Sequence, residues 1–285
     1  MKNFKIKSYC KINLSLRVQR KFGGKNHKIS SVITSCNIYD LISLSKITGE
    51  KDKIFFQGRF SKGINSKTNT ITKALKELRK RNYIQNQVFK IIVKKNIPQG
   101  AGLGGGSSNA ASILNFLNHN MRLKIKKIGM NEIAKKVGFD VPISLEKKNT
   151  FFTAKNNKIK RFKKKFSLNI LIVYPNITCS TKKIYSLNKN FSKLSSSFFY
   201  LKKKSLINFL KNEKNDLENT VIDIYPNVKK LINLIKGQNG CYFSRITGSG
   251  AACIGIFANK KSAVLAKKSI NLKFPKYWSV VSKTI

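Results

Sequence analysis

The chain has 285 residues, with 58 Lys and Arg against 11 Asp and Glu and a formal charge of +47, a length that suits one large domain or two and a balance that first suggests nucleic acid or an anionic membrane. Only eight of the basic residues are Arg, and the Lys are spread along the whole chain among abundant Asn, Ile and Phe; this is the drift in residue usage that an A+T-rich genome imposes, not a surface built from Arg forks. Five scattered cysteines with no CxxC pair exclude a zinc site and a disulfide framework, and the lack of a signal-type apolar region or of a run of ~18 apolar residues makes a reducing cytoplasm, away from membranes, the expectation.

In chain order, KIKSYCKINLSLRV alternates as a strand, and VITSCNIYDLISLSKI and KIFFQGRF are rich in β-branched and aromatic residues; the loop KFGGKNHK lies between the first two. From Asn69, NTITKALKELRKRN places Ile71, Ala74, Leu75 and Leu78 at helical spacing. The strand QVFKIIVKKNI follows, then the stretch PQGAGLGGGSSNAASIL, whose second half reads as a helix capped by Ser107 or Ser108. A shorter helix, MNEIAKKVG, ends at the loop GFDVPISL. Residues 150–166 read as a basic hairpin, and a domain boundary near its start divides the chain into 1–150 and 151–285. Beyond it FSLNILIVYP is a strand, STKKIYSLN, SLINFLKNEKNDLENTVI and NVKKLINLIKG are helical, and CYFSRITGSG, AACIGIFA, KSAVLAKKSINL and YWSVVSKTI close the chain as strand, strand, helix and strand. Strands and helices alternate in both halves, so the class is α+β or α/β. No internal repeat is visible.

The stretch at 98–114 concentrates glycine between an apolar strand and an Ala-rich helix. A strand, a glycine turn and a helix in that order make an anion site, because backbone N–H groups converge where the helix dipole is positive. It is not a P-loop, since Ser107 and not Lys follows Gly106, and read from Gly102 the GxGxxG dinucleotide fingerprint fails as well, since Ser107 stands where the third Gly belongs. A flexible linker is polar and runs on, whereas this loop is clamped on both sides.

PQGAGLGGGSSNAA resembles the phosphate loop of the GHMP kinase superfamily. KINLSLRV, GGKNHKISSV, GFDVPISL, NDLE and RITGSGAACIGIF match the same family in order, so the resemblance spans nearly the whole chain. It implies a two-domain α+β fold with the active site in the cleft between domains, and ATP and Mg²⁺ as cofactors. Within the superfamily the resemblance is to the branch that phosphorylates the 2-hydroxyl of a cytidine-diphosphate conjugate of methylerythritol.

Phosphoryl transfer needs a cradle for the triphosphate, charge neutralisation and a group that orients or deprotonates the acceptor. The resemblance assigns the cradle to Pro98, Gly100, Ala101, Gly102, Leu103, Gly104, Gly105, Gly106, Ser107 and Ser108, with Asn69 and Lys95 lining the nucleotide pocket. Ser107 or Ser108 is the Mg²⁺ or β-phosphate contact. Asp140 is the base and Lys11 its basic partner; from the residues alone, Asp140 reads as a helix-capping or turn aspartate. Asn13, two residues along the strand from Lys11, faces the same way and is implied to hold the methylerythritol part. His27 is implied to read the cytosine edge and Tyr185 to stack on it, with Thr247, Gly248, Ser249 and Gly250 close to the diphosphate. His119 reads as a surface residue. The family carries Tyr directly before the cytosine-reading His, where this chain has Asn26, a loss worth roughly 1 to 3 kcal/mol if no other ring replaces it. The expected partner is the small-molecule substrate, with no specific nucleic acid and no membrane, and the expected state is monomer or homodimer. The competing readings are a homoserine kinase-like enzyme, against which His27 and Tyr185 discriminate, and a basic polyanion-binding protein, for which clustered Arg and RNP-type aromatic motifs are missing.

Overall fold

The computed structural model describes residues 2–19, 28–153, 158–162, 167–193 and 203–285. Two compact units emerge, one of residues 1–11, 38–99 and 104–147, the other of residues 12–37, 100–103 and 148–285. The long strands β1 (Phe4–Gln19) and β2 (Lys28–Ile47) contribute residues to both.

In the first unit, β3 (Lys53–Gln57) runs parallel to β4 (Val88–Lys94), and β4 pairs antiparallel with Leu41–Ile47 of β2. Phe89, Ile91 and Val93 of β4 point into the core while Lys90 and Lys94 point out, the period-two pattern of a half-covered sheet. Helix α1 (Thr70–Lys80) buries Ile71, Ala74, Leu75 and Leu78, the four residues its spacing predicts; burying each of the three large ones contributes about 1.5 to 3 kcal/mol. It packs with α2 (Gly105–Asn120) and α3 (Lys127–Val137) over one apolar core that includes Ile113, Leu114 and Ile133. Helix α2 begins at Gly105, with Gly104 in the left-handed region as its N-cap, so Ser107 and Ser108 lie inside the first turn and do not cap it. The GFDVPISL segment is not all loop, because Val141–Ser144 forms a one-turn helix, α4, with Pro142 in its first turn.

In the second unit, Ser30–Ile33 of β2 pair with β5 (Thr150–Thr153), and β5 pairs with β6 (Lys158–Arg161), the antiparallel hairpin expected in this region. A second, wholly antiparallel sheet has the order β10-β7-β9-β8, from β7 (Asn169–Tyr174), β8 (Cys241–Ile246), β9 (Cys253–Phe257) and β10 (Trp278–Lys283). Helices α8 (Asn227–Lys236) and α9 (Lys260–Lys273) cover it, α8 through Val228, Leu231, Ile232 and Ile235. The single helix expected over 205–222 is instead two, α6 (Lys203–Asn212) and α7 (Glu218–Ile224), following the short α5 (Thr181–Leu187). The break falls at 214–217, where the Lys214 carbonyl accepts from Leu16 N–H at 2.9 Å, Asp216 N–H donates to the Leu16 carbonyl at 2.8 Å and Leu217 N–H donates to Asn215 Oδ1 at 3.0 Å, so backbone groups that a continuous helix would need are already paired.

Candidate active site

Gly104 has φ +65°, and α2 starts immediately after it with Ser108 N–H donating to the Gly104 carbonyl at 2.9 Å. No side chain caps this end and no acidic residue lies in its first turn. The N–H groups of a first turn have no intrahelical partner, so an uncapped glycine start presents them, with the positive end of the dipole, to an anion. Thr70 Oγ donates to the Gly106 carbonyl at 2.7 Å and ties the start of α1 to this turn.

Lys11 lies on β1, only 6% exposed, and its Nζ is 3.1 Å from Asp140 Oδ2. Asp140 occupies the N-cap position of α4, yet its side chain makes no capping bond. The capping explanation for this aspartate therefore fails; the carboxylate faces an ammonium instead. The Lys11 stem runs across Gly104, where a Cβ would come within 2.6 Å of Lys11 Cγ and 2.8 Å of Cε. Gly104 thus serves twice, allowing the left-handed turn and leaving the channel through which Lys11 reaches Asp140. Gly104→Ala is expected to cost about 1 kcal/mol from the positive φ, while pushing the Lys11 side chain off Asp140. Turnover should fall at least about tenfold although most of the protein stays folded at 25 °C; turnover and urea unfolding measured together check this. Ser108 is buried, 3.5 Å from Ser144 Oγ, which in turn donates to the Asp140 carbonyl at 3.1 Å, while Ser107 remains partly exposed.

In the second unit, the Gly100–Leu103 part of the loop lies against the Thr247–Gly250 turn. Ala252 N–H donates to the Ala101 carbonyl at 3.2 Å. A Cβ on Gly102 would overlap the Thr247 carbonyl, and one on Gly250 would overlap the Ala101–Gly102 peptide. Two glycine turns far apart in sequence are therefore packed backbone to backbone. Thr247 Oγ accepts from Asn13 N–H at 2.8 Å, and Asn13 Nδ2 donates to Ser31 Oγ at 2.7 Å. Ser249 Oγ lies 2.9 Å from Thr181 Oγ. Asn215 Nδ2 donates to the Gly248 carbonyl at 2.8 Å, Asp216 accepts from Val18 N–H at 2.7 Å, and Glu218 accepts from Ile246 N–H at 2.8 Å. The NDLE segment, matched in sequence without a role, holds the turn and the strand in place. Its signal is polar side chains inside an otherwise helical pattern. Cys179 N–H donates to the Gly100 carbonyl at 3.2 Å, and burial pushes its thiol up to about 11, so it remains a packed thiol and not a nucleophile.

The remaining residues have definite places. Asn69 is the N-cap of α1: its Oδ1 accepts from Thr72 N–H at 3.0 Å and its Nδ2 donates to the Ser66 carbonyl at 2.8 Å. Pro98 is buried, as are Ala101 and Leu103, the apolar anchors of the loop. Lys95 is also buried, with its amine bonded to Asp40 and Asn109. Tyr185 is half-buried on α5, and His119 is exposed in the last turn of α2. His27 and Asn26 lie outside the described residues.

The model of the GHMP kinase N-terminal domain matches residues 69–148 and that of the GHMP kinase C-terminal region matches residues 200–276. A 4-diphosphocytidyl-2-C-methyl-D-erythritol kinase of Pelagibacter ubique (strain HTCC1062) is 42% identical over the full length of both chains. The chain belongs to the GHMP kinase family. A kinase of the same name from Wolbachia pipientis wMel is 35% identical to this GHMP kinase, over 98% of the chain and 97% of the relative. The same fold occurs in a crystal structure of 4-(cytidine 5'-diphospho)-2C-methyl-D-erythritol kinase, with a TM-score of 0.77 at 20% identity over 99% of this chain and 100% of that one. The homoserine kinase of Cytophaga hutchinsonii matches with a TM-score of 0.66 at 13% identity, covering 99% and 94%. Among the described residues, no helix of this GHMP kinase is long and apolar enough to cross a membrane.

Proposed function

We propose that this GHMP kinase transfers the γ-phosphoryl group of ATP to the 2-hydroxyl of 4-diphosphocytidyl-2-C-methyl-D-erythritol, a step of the non-mevalonate route to isoprenoid precursors. The observation that carries the chemistry is the contact between Lys11 and Asp140 at 3.1 Å; 42% and 35% identity to kinases named for that substrate supports the choice of acceptor.

In this reading Asp140 orients the acceptor hydroxyl and takes its proton as the oxygen bonds to the γ-phosphorus and the β–γ bridging bond breaks, releasing ADP. Lys11 lies against the carboxylate and offsets charge that builds on the transferring group. The backbone of 98–108, uncapped at the start of α2, receives the triphosphate, and the nucleotide belongs to the 1–150 half. Asn69 contributes as the cap that fixes the start of α1. Asn13 holds the methylerythritol part of the acceptor, and His27, Tyr185 and the turn 247–250 take its cytidine diphosphate end, with most of these residues in the 151–285 half.

No group of three or more His, Cys, Asp and Glu able to hold a metal occurs among the described residues. Isolated hydroxyls and one carboxylate fit an ion that keeps several waters and is held mainly by phosphates, which is how Mg²⁺ binds. When bound with the nucleotide, Mg²⁺ neutralises charge on the phosphate oxygens. Of the two serines, Ser107 has the accessible hydroxyl for that contact, because Ser108 is buried toward Ser144. The +47 charge then reflects composition and not a nucleic-acid site, and the enzyme acts on its small substrate in the cytoplasm, as a monomer or homodimer.

The test is ADP release by the purified protein with Mg-ATP and a panel of acceptors: the diphosphocytidyl substrate, homoserine, mevalonate and galactose. Turnover is expected with the first alone. Release above background with another acceptor and not with the first would replace the substrate, and release with none would end the kinase reading.

A further inference from the structure

Asp40 lies on β2, fully buried, and every acceptor direction of its carboxylate toward the loop is used. Oδ1 accepts from Asn96 N–H at 2.7 Å and from Ile97 N–H at 2.9 Å. Oδ2 accepts from the Lys95 amine and from Asn109 Nδ2, the latter at 3.0 Å. Asn109 closes the ring by accepting from Lys95 Nζ at 3.0 Å, and its Nδ2 also lies 2.9 Å from Ser8 Oγ on β1. Asn96 Nδ2 donates to the Tyr39 carbonyl at 3.0 Å, so both Tyr39 and Asp40 grip the chain as it leaves β4. The contacts join β1, β2, the segment 95–97 and the second turn of α2. The glycine loop is what lies between the last two of these.

Two features separate this cluster from ordinary core. A buried ion pair is a poor stabiliser, because desolvation offsets most of the attraction and well-packed apolar residues in its place would serve as well or better. This one also stands where both ends of the loop converge. A Cβ on Gly105 would come within 3.4 Å of Lys95 Nζ, so the amine lies directly beneath the first residue of α2. Burial lowers the pKa of Lys95 against the opposing pull of Asp40. With its charge neutralised by Asp40 and two donors directed to Asp40 and Asn109, Lys95 is poorly placed to serve as a phosphate ligand.

We infer that Asp40, Lys95 and Asn109 form a buried clamp that sets the spacing of the two ends of the nucleotide loop, and that Lys95 acts on ATP through that loop without touching it. The inference rests on the reading of 98–108 as the ATP site. It makes all three positioning residues, and it predicts an effect confined to the nucleotide.

The experiment measures the KM for ATP, the KM for the acceptor and calorimetric binding of a non-hydrolysable Mg-ATP analogue. The proteins are the wild type, Asp40→Asn, Lys95→Met, the double variant Asp40→Asn/Lys95→Met, and Asn109→Ala. Asp40→Asn turns an amide donor toward the lysine amine and leaves a buried unpaired charge; nucleotide affinity is expected to fall about 10- to 100-fold while the KM for the acceptor stays within about twofold. Lys95→Met should weaken nucleotide binding similarly. The double variant removes the donor–donor conflict and should recover at least about tenfold toward wild type, which a direct phosphate ligand would not allow. If Asp40→Asn does not fold, Asn109→Ala decides, since it releases only the helix side of the clamp and should show the same nucleotide-only loss. Variants that bind the analogue as the wild type does would overturn the clamp, and a double variant no better than Lys95→Met would put the Lys95 side chain in direct contact with the nucleotide. Failure of the wild type itself to bind the analogue would strike the ATP reading instead.

Discussion

Asp140→Asn is expected to lower kcat about 10²- to 10⁴-fold with little change in the KM for ATP, the loss that follows when a positioned general base is removed. The substitution is nearly isosteric, and the side chain makes no capping bond to α4 that the amide would have to replace, so the backbone around it should hold. Lys11→Met is expected to cost about 10²- to 10³-fold, the scale of a lost charge-stabilising donor. Because the two groups meet at 3.1 Å and act on one proton transfer, the double variant should be little worse than the poorer single variant. Steady-state kinetics of the four proteins decide it. Turnover of Asp140→Asn near that of wild type would remove the carboxylate from the mechanism, and strictly additive losses would separate it from Lys11.

Gly102→Ala is expected to be strongly destabilising. Gly102 has φ +83°, which costs an L-residue about 1 kcal/mol, and the added methyl group overlaps the Thr247 carbonyl, a backbone atom that cannot rotate away. Overpacking of that kind adds about 1 to 3 kcal/mol, for a total of about 2 to 4 kcal/mol. Gly63 supplies the control, since it has the same φ of +83° with nothing within 4 Å of its Cβ position. Gly63→Ala should therefore show the backbone cost alone. Urea unfolding of both variants separates the contact from the conformation, and equal destabilisation would mean that the two glycine turns are not in contact in solution. Gly250→Ala tests the same packing from the other side, through the Ala101–Gly102 peptide.

The elements were largely legible because period and composition are local. The helix at 70–80 follows from four apolar residues on one stripe, and the strands at 88–94 and 169–174 from apolar runs bounded by turn signals. The glycine loop was equally plain, as was its difference from the P-loop, since both depend on residue order alone. Other features were not, each for a physical reason. Lys214 and Asp216 sit in a pattern that reads as one helix, and only their backbone bonds to Leu16 of β1 show why it breaks. Glycine tolerates the left-handed cap that starts α2, and nothing local distinguishes that start from one capped by Ser107 or Ser108, three or four residues later.

The same division holds for the candidate site. Order and type of residue pointed to the loop, while Asp140 stood out only through the family resemblance; Lys11 is one lysine among 50, and its pairing with Asp140 depends on a strand and a one-turn helix 129 positions apart in sequence. Asp40 and Asn109 gave no sign of themselves, because a buried aspartate and a helical asparagine acquire meaning only when the chain brings both to Lys95. Local propensity and hydrophobic period decide which segments are helix, strand or glycine turn. Which lysine is charged against which carboxylate, and which glycine must lack a side chain, are set by approaches of a few ångströms between distant segments, and those exist only in the folded chain.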